Sequence, residues 1–402
     1  MKTIAFAWRF LWSRPLATAL NLLLLTLGLG SVTFLLLVSH QIDTAFERDL
    51  AGIDVVVGAK GSPMQLILSG VLHLDVPTGN VPLAAIKALQ SHPQVAKLIP
   101  VSLGDSFRGF RMVGTTGEYL QHYKAVISQG QMWTEPMQTV IGEQVARQSG
   151  LKVGDRFAGS HGLGGNGGGE VHEKTPYTVV GILAHSGTVL DRLLLTATES
   201  VWKVHETDIA LDEEDQKVLE EEREVTLALI QYTTPLAAVT FPRFINTSTE
   251  MQAAAPALEI TRLLSMVGVG TNVLKALAGM LLVTAGLSVF IALWNAVRER
   301  RADLALLRML GAPPRKIGGL LLCEAVWLAL LAAMLGVALW QGATALMAWA
   351  LQLEQSVLIS AWSWPPELLA VPALALGVAL LSALLPAWEA FRISVFELLQ
   401  TR

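Results

Sequence analysis

The sequence predicts an α-helical membrane protein with four transmembrane helices and a large mixed α+β domain inserted between helices 1 and 2. Three observations predict it. Of 402 residues, 52% are hydrophobic and only 15% charged, where a soluble domain carries about a quarter charged residues. Four runs reach the length of about 20 apolar residues that covers roughly 30 Å of hydrocarbon. A stretch of more than 200 residues separates the first run from the other three, long enough to bury a core of its own.

The elements follow in order. Residues 1–42 comprise an interfacial helix and the first span. In KTIAFAWRFLWSRP, Ile4, Trp8 and Leu11 fall on one side, with Lys2, Arg9 and Arg14 elsewhere; Trp8 and Trp12 read as headgroup anchors. The run 16–38 has no charge between Arg14 and Asp43 and is too long for a signal-peptide core, so it is expected to stay as an anchor. Residues 43–266 form the inserted domain, and 267–297 a stalk end and the second span, whose apolar run 276–297 lies between Lys275 and Arg298. A charged segment, 298–317, leads into the third span, 318–340, with Glu324 as its single ionisable group. A short connection, 341–367, precedes the fourth span, 368–388, and residues 389–402 read as a terminal helix. Basic flanks stay on the cytoplasmic side. Lys2, Arg9 and Arg14 precede the first span, and six bases against Glu299 and Asp303 separate the second and third. Both termini and 298–317 are therefore expected inside, and the large domain outside.

Within that domain, 53–57, 97–101, 110–113, 139–141, 177–183 and 192–196 are short apolar or β-branched runs bounded by Gly, Pro or Asp, as strands are, and 225–232 is another. Residues 83–91 and 142–149 read as helices. The acidic run 206–224 reads as a solvated face, and 241–266 as a strand end followed by a helix. The lone cysteine, Cys323, falls in the third span, so the exported domain is expected to hold together by packing without disulfides.

The segment RERRADLALLRMLGAPPRKI, 298–317, is charged and amphipathic between two oily runs. Leu304, Leu307 and Leu310 recur every three residues beside Ala305 and Met309, with Arg301, Asp303 and Arg308 on other faces. Gly311, Pro313 and Pro314 then stop the helix. Such an element is too short to span. Either it lies on the anionic inner leaflet or it docks in a groove of a cytoplasmic partner.

This segment, followed by LLLCEA at 320–325, is similar to the cytoplasmic loop and following helix of the FtsX/MacB-like ABC transporter permeases of the type VII superfamily. The ending LPAWEAFRISVFELLQ, 385–400, resembles the family's C-terminal segment, and the layout of one span, a large domain and three spans matches throughout. DVVVGAKGSPMQLILSGVLHLDVPTGNVP, 54–82, resembles a branch of stand-alone permeases. The resemblance implies a MacB-like periplasmic domain and an inner-membrane location. It also implies a non-catalytic subunit without cofactor, working with a cytoplasmic ABC ATPase dimer that holds ATP and Mg. A second permease copy, identical or closely related, a periplasmic partner protein and membrane lipids are the other expected partners, and nucleic acid is not one. In this reading Leu304, Leu307, Arg308, Leu310 and Gly311 form the ATPase-coupling helix, and Glu324 is a structural intramembrane carboxylate. Closure of the ATPase would be carried outward mechanically, without a solute channel.

The residues bear out little else as chemistry. No GxxxxGK[ST] occurs, and the glycine run GLGGNGGG at 162–169 lacks the lysine and hydroxyl of a phosphate loop and reads as a flexible loop. HExxH, GxSxG and CxxC do not occur. His161 and His172 flank the glycine run, with His185 and His205 further along; imidazoles are good metal ligands, but the irregular spacing makes these weak candidates. Three functions stay open: transport of an envelope or apolar cargo, FtsX-like mechanical regulation of a periplasmic enzyme, and a zinc-linked transport system.

Overall fold

The computed structural model describes residues 3–162, 175–206, 218–220, 222–354 and 364–392. Most of the glycine run, His172, most of the acidic run, part of the connection before the fourth span and the terminal helix beyond 392 lie outside the described residues, as does the His205 side chain. The chain divides into two compact units, one of residues 1–43, 266–351 and 359–402, the other of 44–265 and 352–358.

The chain opens with helix α1 (Thr3–Leu11) and the 36-residue α2 (Pro15–Leu50), the latter long and apolar enough to cross a membrane. The second unit, the head, then begins with β1 (Val55–Ala59), α3 (Pro63–Gly70), β2 (Val81–Pro82), α4 (Leu83–Gln90), β3 (Val95–Phe107), β4 (Phe110–Thr115), α5 (Gly117–His122) and β5 (Ile127–Gly130). It continues through β6 (Gln138–Ile141), α6 (Glu143–Ser149), β7 (Arg156–Phe157), β8 (Ser160–His161), β9 (Tyr177–Leu183), β10 (Leu193–Ala197) and α7 (Thr198–Glu206). Then come β11 (Glu224–Val225), β12 (Leu227–Tyr232), α8 (Ala237–Ser248) and β13 (Met251–Ala254).

The main sheet runs in the order β13-β1-β12-β3-β4-β10-β6-β9-β5. Every residue of β4 and β10 is buried, and the two pair in parallel with Leu193 opposite Arg111. Such strands, covered on both faces, give continuous apolar runs instead of alternation. One apolar cluster gathers Val56, Leu66, Ile99, Val113, Leu195 and Leu229; others collect Val57, Ile86, Phe241 and Ile245, and Met112, Val145, Phe157 and Tyr177.

Residues around Phe241 differ from the expected strand end. They form α8, in which Ala237, Phe241 and Ile245 recur every four residues and are all fully buried, the spacing of one helical face. Pro242 lies inside this helix, where proline normally breaks the hydrogen-bond ladder; burial of the apolar stripe outweighs that local cost. The strand before the long stalk is instead β13, which pairs with β1.

The remaining elements are α9 (Pro256–Glu299, 44 residues), α10 (Arg301–Met309), α11 (Pro314–Glu354, 41 residues) and α12 (Ala370–Arg392). Together with α2, helices α9, α11 and α12 supply four segments long and apolar enough to cross a membrane. α11 runs well past residue 340, so the first part of the expected connection is helical. Inside the bundle, Ala375, Ala379 and Ala383 are fully buried at four-residue spacing, the small-residue pattern that lets spanning helices approach closely. A β-carbon on Gly336 would meet the Gly30 nitrogen at 3.3 Å, which marks the close approach of α11 to α2. Ser288 Oγ donates to Asn21 Oδ1 at 2.7 Å, joining α9 to α2 inside the apolar bundle. Elsewhere Leu16, Leu20, Val283 and Leu381 are exposed, as lipid-facing residues are.

Candidate functional site

The charged segment is built around α10. α9 ends at Glu299, Arg300 breaks the helical backbone with φ −102° and ψ 15°, and α10 starts at Arg301. Its end is a Schellman motif. The Gly311 N–H donates to the Arg308 carbonyl and the Ala312 N–H to the Leu307 carbonyl, both at 3.0 Å, while Gly311 takes a left-handed φ of 93°, which only glycine adopts without strain. Pro314 then opens α11, a first-turn position where its missing N–H costs nothing.

The structure separates the predicted leucine series. Leu304 is 4% exposed and belongs to the core of the helix bundle, with Leu307 packed partly against it. Leu310 is 85% exposed, and Leu306 and Met309 about half exposed at 52% and 53%. At about 100° per residue, Leu306, Met309 and Leu310 cluster on the side opposite Leu304. α10 is thus apolar on two faces, one seated on its own bundle and the other open. Leu306 stands outside the three-residue leucine repeat and Met309 only beside it, so that repeat does not trace the open face.

The N-terminal segment braces this junction. Arg14 pairs with Glu299, Arg300 donates to Ser13 Oγ, and the Arg300 guanidinium sits 4.1 Å from the centre of the Phe10 ring, a cation–π geometry. The rings of Trp8 and Trp327 meet at 4.9 Å between centroids. Glu324, on α11, is 9% exposed; its Oε2 has no hydrogen-bond partner among the described residues, and its cationic neighbours are Arg300 and Arg14.

A second polar cluster lies inside the head, where no sequence motif announced it. Near the end of α2, Asp49 accepts from the Val189 N–H at 3.1 Å through Oδ1, and its carbonyl accepts from Tyr123 Oη at 2.9 Å. Arg192 donates to the Leu72 carbonyl at 2.6 Å and Arg111 to the Ser69 carbonyl at 3.1 Å. The buried Asp191 carboxylate accepts from the Ser186 and Gly187 N–H groups and the Ser186 hydroxyl, each at 2.8 Å. This ties the 186–192 turn into one rigid piece. A β-carbon on Gly142 would lie 2.2 Å from the Leu190 carbonyl oxygen, so only glycine lets α6 begin against that turn. His73 is buried, 3.0 Å from Tyr119 Oη; burial, then the Arg111 and Arg192 charges, hold its pKa well below the usual imidazole value. Burial also lowers Arg111 to about 10. The arginines and Tyr123 end on backbone carbonyls and the aspartates mainly on backbone N–H groups, so the cluster reads as a fastening of the α2 end to the head and not as a catalytic centre.

Of the weak metal candidates, His161 lies 3.2 Å from Asp105 Oδ1, and His172 is outside the described residues. His185 lies 2.8 Å from Asp191 Oδ2 and 3.9 Å from Glu143. No group of three or more His, Cys, Asp or Glu side chains able to hold a metal occurs among the described residues.

Comparison with known proteins places this architecture. Residues 275–395 match the family model of the FtsX-like permease C-terminal region, and residues 18–226 match that of the MacB-like periplasmic core domain. The chain is similar to a pyoverdine export ATP-binding/permease protein, PvdT, of Pseudomonas fluorescens (strain Pf0-1), at 23% identity over 83% of this chain and 50% of that protein. It is also similar to PvdT of Pseudomonas putida (strain KT2440), at 26% identity over 46% of this chain and 28% of that protein. The chain thus spans half or less of the length of these curated relatives. Among solved structures, the periplasmic region of MacB from Actinobacillus actinomycetemcomitans aligns at 10% identity over 54% of this chain and 95% of that one, with a TM-score of 0.35. The extracellular domain of the ABC-type transporter YknZ from Gram-positive bacteria aligns at 11% identity over 50% and 98%, with a TM-score of 0.30. With two family models that between them cover residues 18–226 and 275–395, this chain belongs to the FtsX/MacB-like ABC transporter permeases.

Proposed function

We propose that this permease converts ATP hydrolysis by a separate cytoplasmic ATPase dimer into movement of its periplasmic domain, and so extracts, exports or hands over an envelope or apolar cargo. The observation that carries this reading is the second apolar face of α10. With Leu304 already buried in the bundle, the exposed Leu306, Met309 and Leu310 form a surface that a groove on a partner would cover. The Schellman end and the Arg14, Ser13 and Phe10 contacts hold that surface rigidly to the bundle. Two helices carry motion further: α2 and α9 each run unbroken through the residues where the two units divide, and the α2 end is fastened to the 186–192 turn. A helix of this kind transmits displacement without a solute pathway.

Both termini and α10 are placed in the cytoplasm, ATP and Mg on the ATPase, and a second permease copy opposite the first, because an ATPase dimer demands two coupling surfaces. The relatives named for ATP-binding and pyoverdine export support ATP as fuel and outward movement of cargo. Glu324 is assigned a structural role beside Arg14 and Arg300.

The test is a distance measurement between copies. Val126 is 65% exposed in the head; a nitroxide at Val126→Cys, with the single native cysteine removed as Cys323→Ala, reports the head-to-head separation in the reconstituted complex. Separation should change between ATP-bound and nucleotide-free states. An identical distance distribution in both states overturns the mechanical reading.

A further inference from the structure

The end of the bundle that leads into residues 44–265 carries a groove that the coupling mechanism does not use. Its floor is formed by Val32, Leu35 and Leu36 of α2 and Ala278 of α9; its rim is formed by His40, Asp43, Lys275 and Glu367, and it encloses about 340 Å³. That volume lies within the range of small-molecule sites.

Three features define what fits it. The first is level. The rim charges are the first ionisable groups beyond the apolar runs on this side, and the exposed Trp364 precedes Glu367 by three residues, as an aromatic residue at the membrane–water boundary does. The second is depth. From Val32 to Asp43, α2 rises about 16 Å at 1.5 Å per residue, close to half of the roughly 30 Å hydrocarbon layer. An occupant reaching floor and rim together therefore has a chain one leaflet long and a head at the surface. The third is charge. His40 Nδ1 lies 3.7 Å from Glu367, while neither Lys275 nor Asp43 has an ion pair among the described residues, so the rim offers a cation and carboxylates side by side. A head bearing both a phosphate and an ammonium complements it; a purely anionic head would leave the carboxylates unmatched.

We propose that this groove binds one phosphoethanolamine-type phospholipid from the periplasmic leaflet, with its acyl chain on the Val32–Leu36–Ala278 floor, its phosphate at Lys275 and its ammonium at Asp43 and Glu367. The site is independent of the ATPase-coupling surface, and its failure leaves that reading untouched.

The test uses the full chain in nanodiscs containing phosphatidylethanolamine and phosphatidylglycerol, with a diazirine on the acyl chain of one lipid or the other. Crosslinked peptides are read by mass spectrometry. The phosphatidylethanolamine probe should label the peptides of residues 32–43 and 275–278 in preference to the phosphatidylglycerol probe. Lys275→Glu should lower that labelling about fivefold, the scale of one exposed ion pair, and Leu36→Trp, which fills the floor, should lower labelling by both probes. Monodispersity of each variant by gel filtration and unchanged labelling of lipid-facing Val283 show that the bundle is intact. Equal labelling by both probes, insensitive to Lys275→Glu, means ordinary surrounding lipid and overturns the proposal. So does crosslinking of these residues to a second copy of this chain.

Discussion

Leu310→Ala tests the two-faced character of α10 most directly. Full burial of a leucine side chain is worth about 1.5–3 kcal/mol. With Leu310 85% exposed in the chain alone, nearly all of that remains for a partner to gain, and truncation to alanine should weaken ATPase binding by about 2 kcal/mol, or roughly 30-fold in Kd. The same truncation at Leu304, 4% exposed inside the bundle core, has a different signature. It opens a cavity costing about 2–5 kcal/mol of stability and leaves the partner surface in place. The assay is bio-layer interferometry of the purified permease in nanodiscs against the ATPase, paired with thermal melting of the permease alone. Leu310→Ala should change affinity with little effect on melting, and Leu304→Ala should lower the melting temperature first. If Leu310→Ala binds as tightly as the parent, or if Leu304→Ala weakens binding without lowering the melting temperature, the assignment of inner and outer faces is wrong.

Three further outcomes follow from the geometry. Gly311→Ala places a β-carbon at φ 93° and should cost about 1–2 kcal/mol, seen as fraying of the α10 end by hydrogen exchange and reduced ATPase stimulation. Ala379→Leu forces a larger side chain into a fully buried contact between spanning helices; overpacking of about 1–3 kcal/mol should appear as a lower melting temperature in nanodiscs. His73 stays neutral in the native head because its pKa is held well below 6.5, whereas the unfolded imidazole takes up a proton near 6.5. Stability should therefore fall as pH drops below that value, by up to about 2 kcal/mol at pH 5. His73→Gln should flatten this part of the melting-temperature profile, and an unchanged profile would show that another group sets it.

The membrane part was legible because its determinant is local: a span is an uninterrupted apolar run, and the four runs lie within the four helices. The head strands were legible for a related reason, since β4, β9 and β10 are short apolar runs between breakers. α8 was not, because Pro242 signals a break locally while the Phe241 and Ile245 contacts that sustain the helix come from α4 and the sheet. The strand order of the main sheet, with β1 between β13 and β12 and β10 parallel to β4, rests on pairings between residues up to about 200 positions apart, which no local pattern encodes.

The site divides in the same way. From the sequence alone came the existence of α10, its stop at Gly311, its amphipathic character and its resemblance to a coupling helix. Which leucines face inward was settled by tertiary structure, because a three-residue repeat turns about 120° around a helix between Leu304 and Leu310, and only the bundle beneath decides which end of that arc is covered. The fastening at Asp49, Arg111, Arg192 and His73 is likewise invisible in one dimension. Its four members come from four separate stretches of chain and acquire meaning when burial leaves each of them needing a partner.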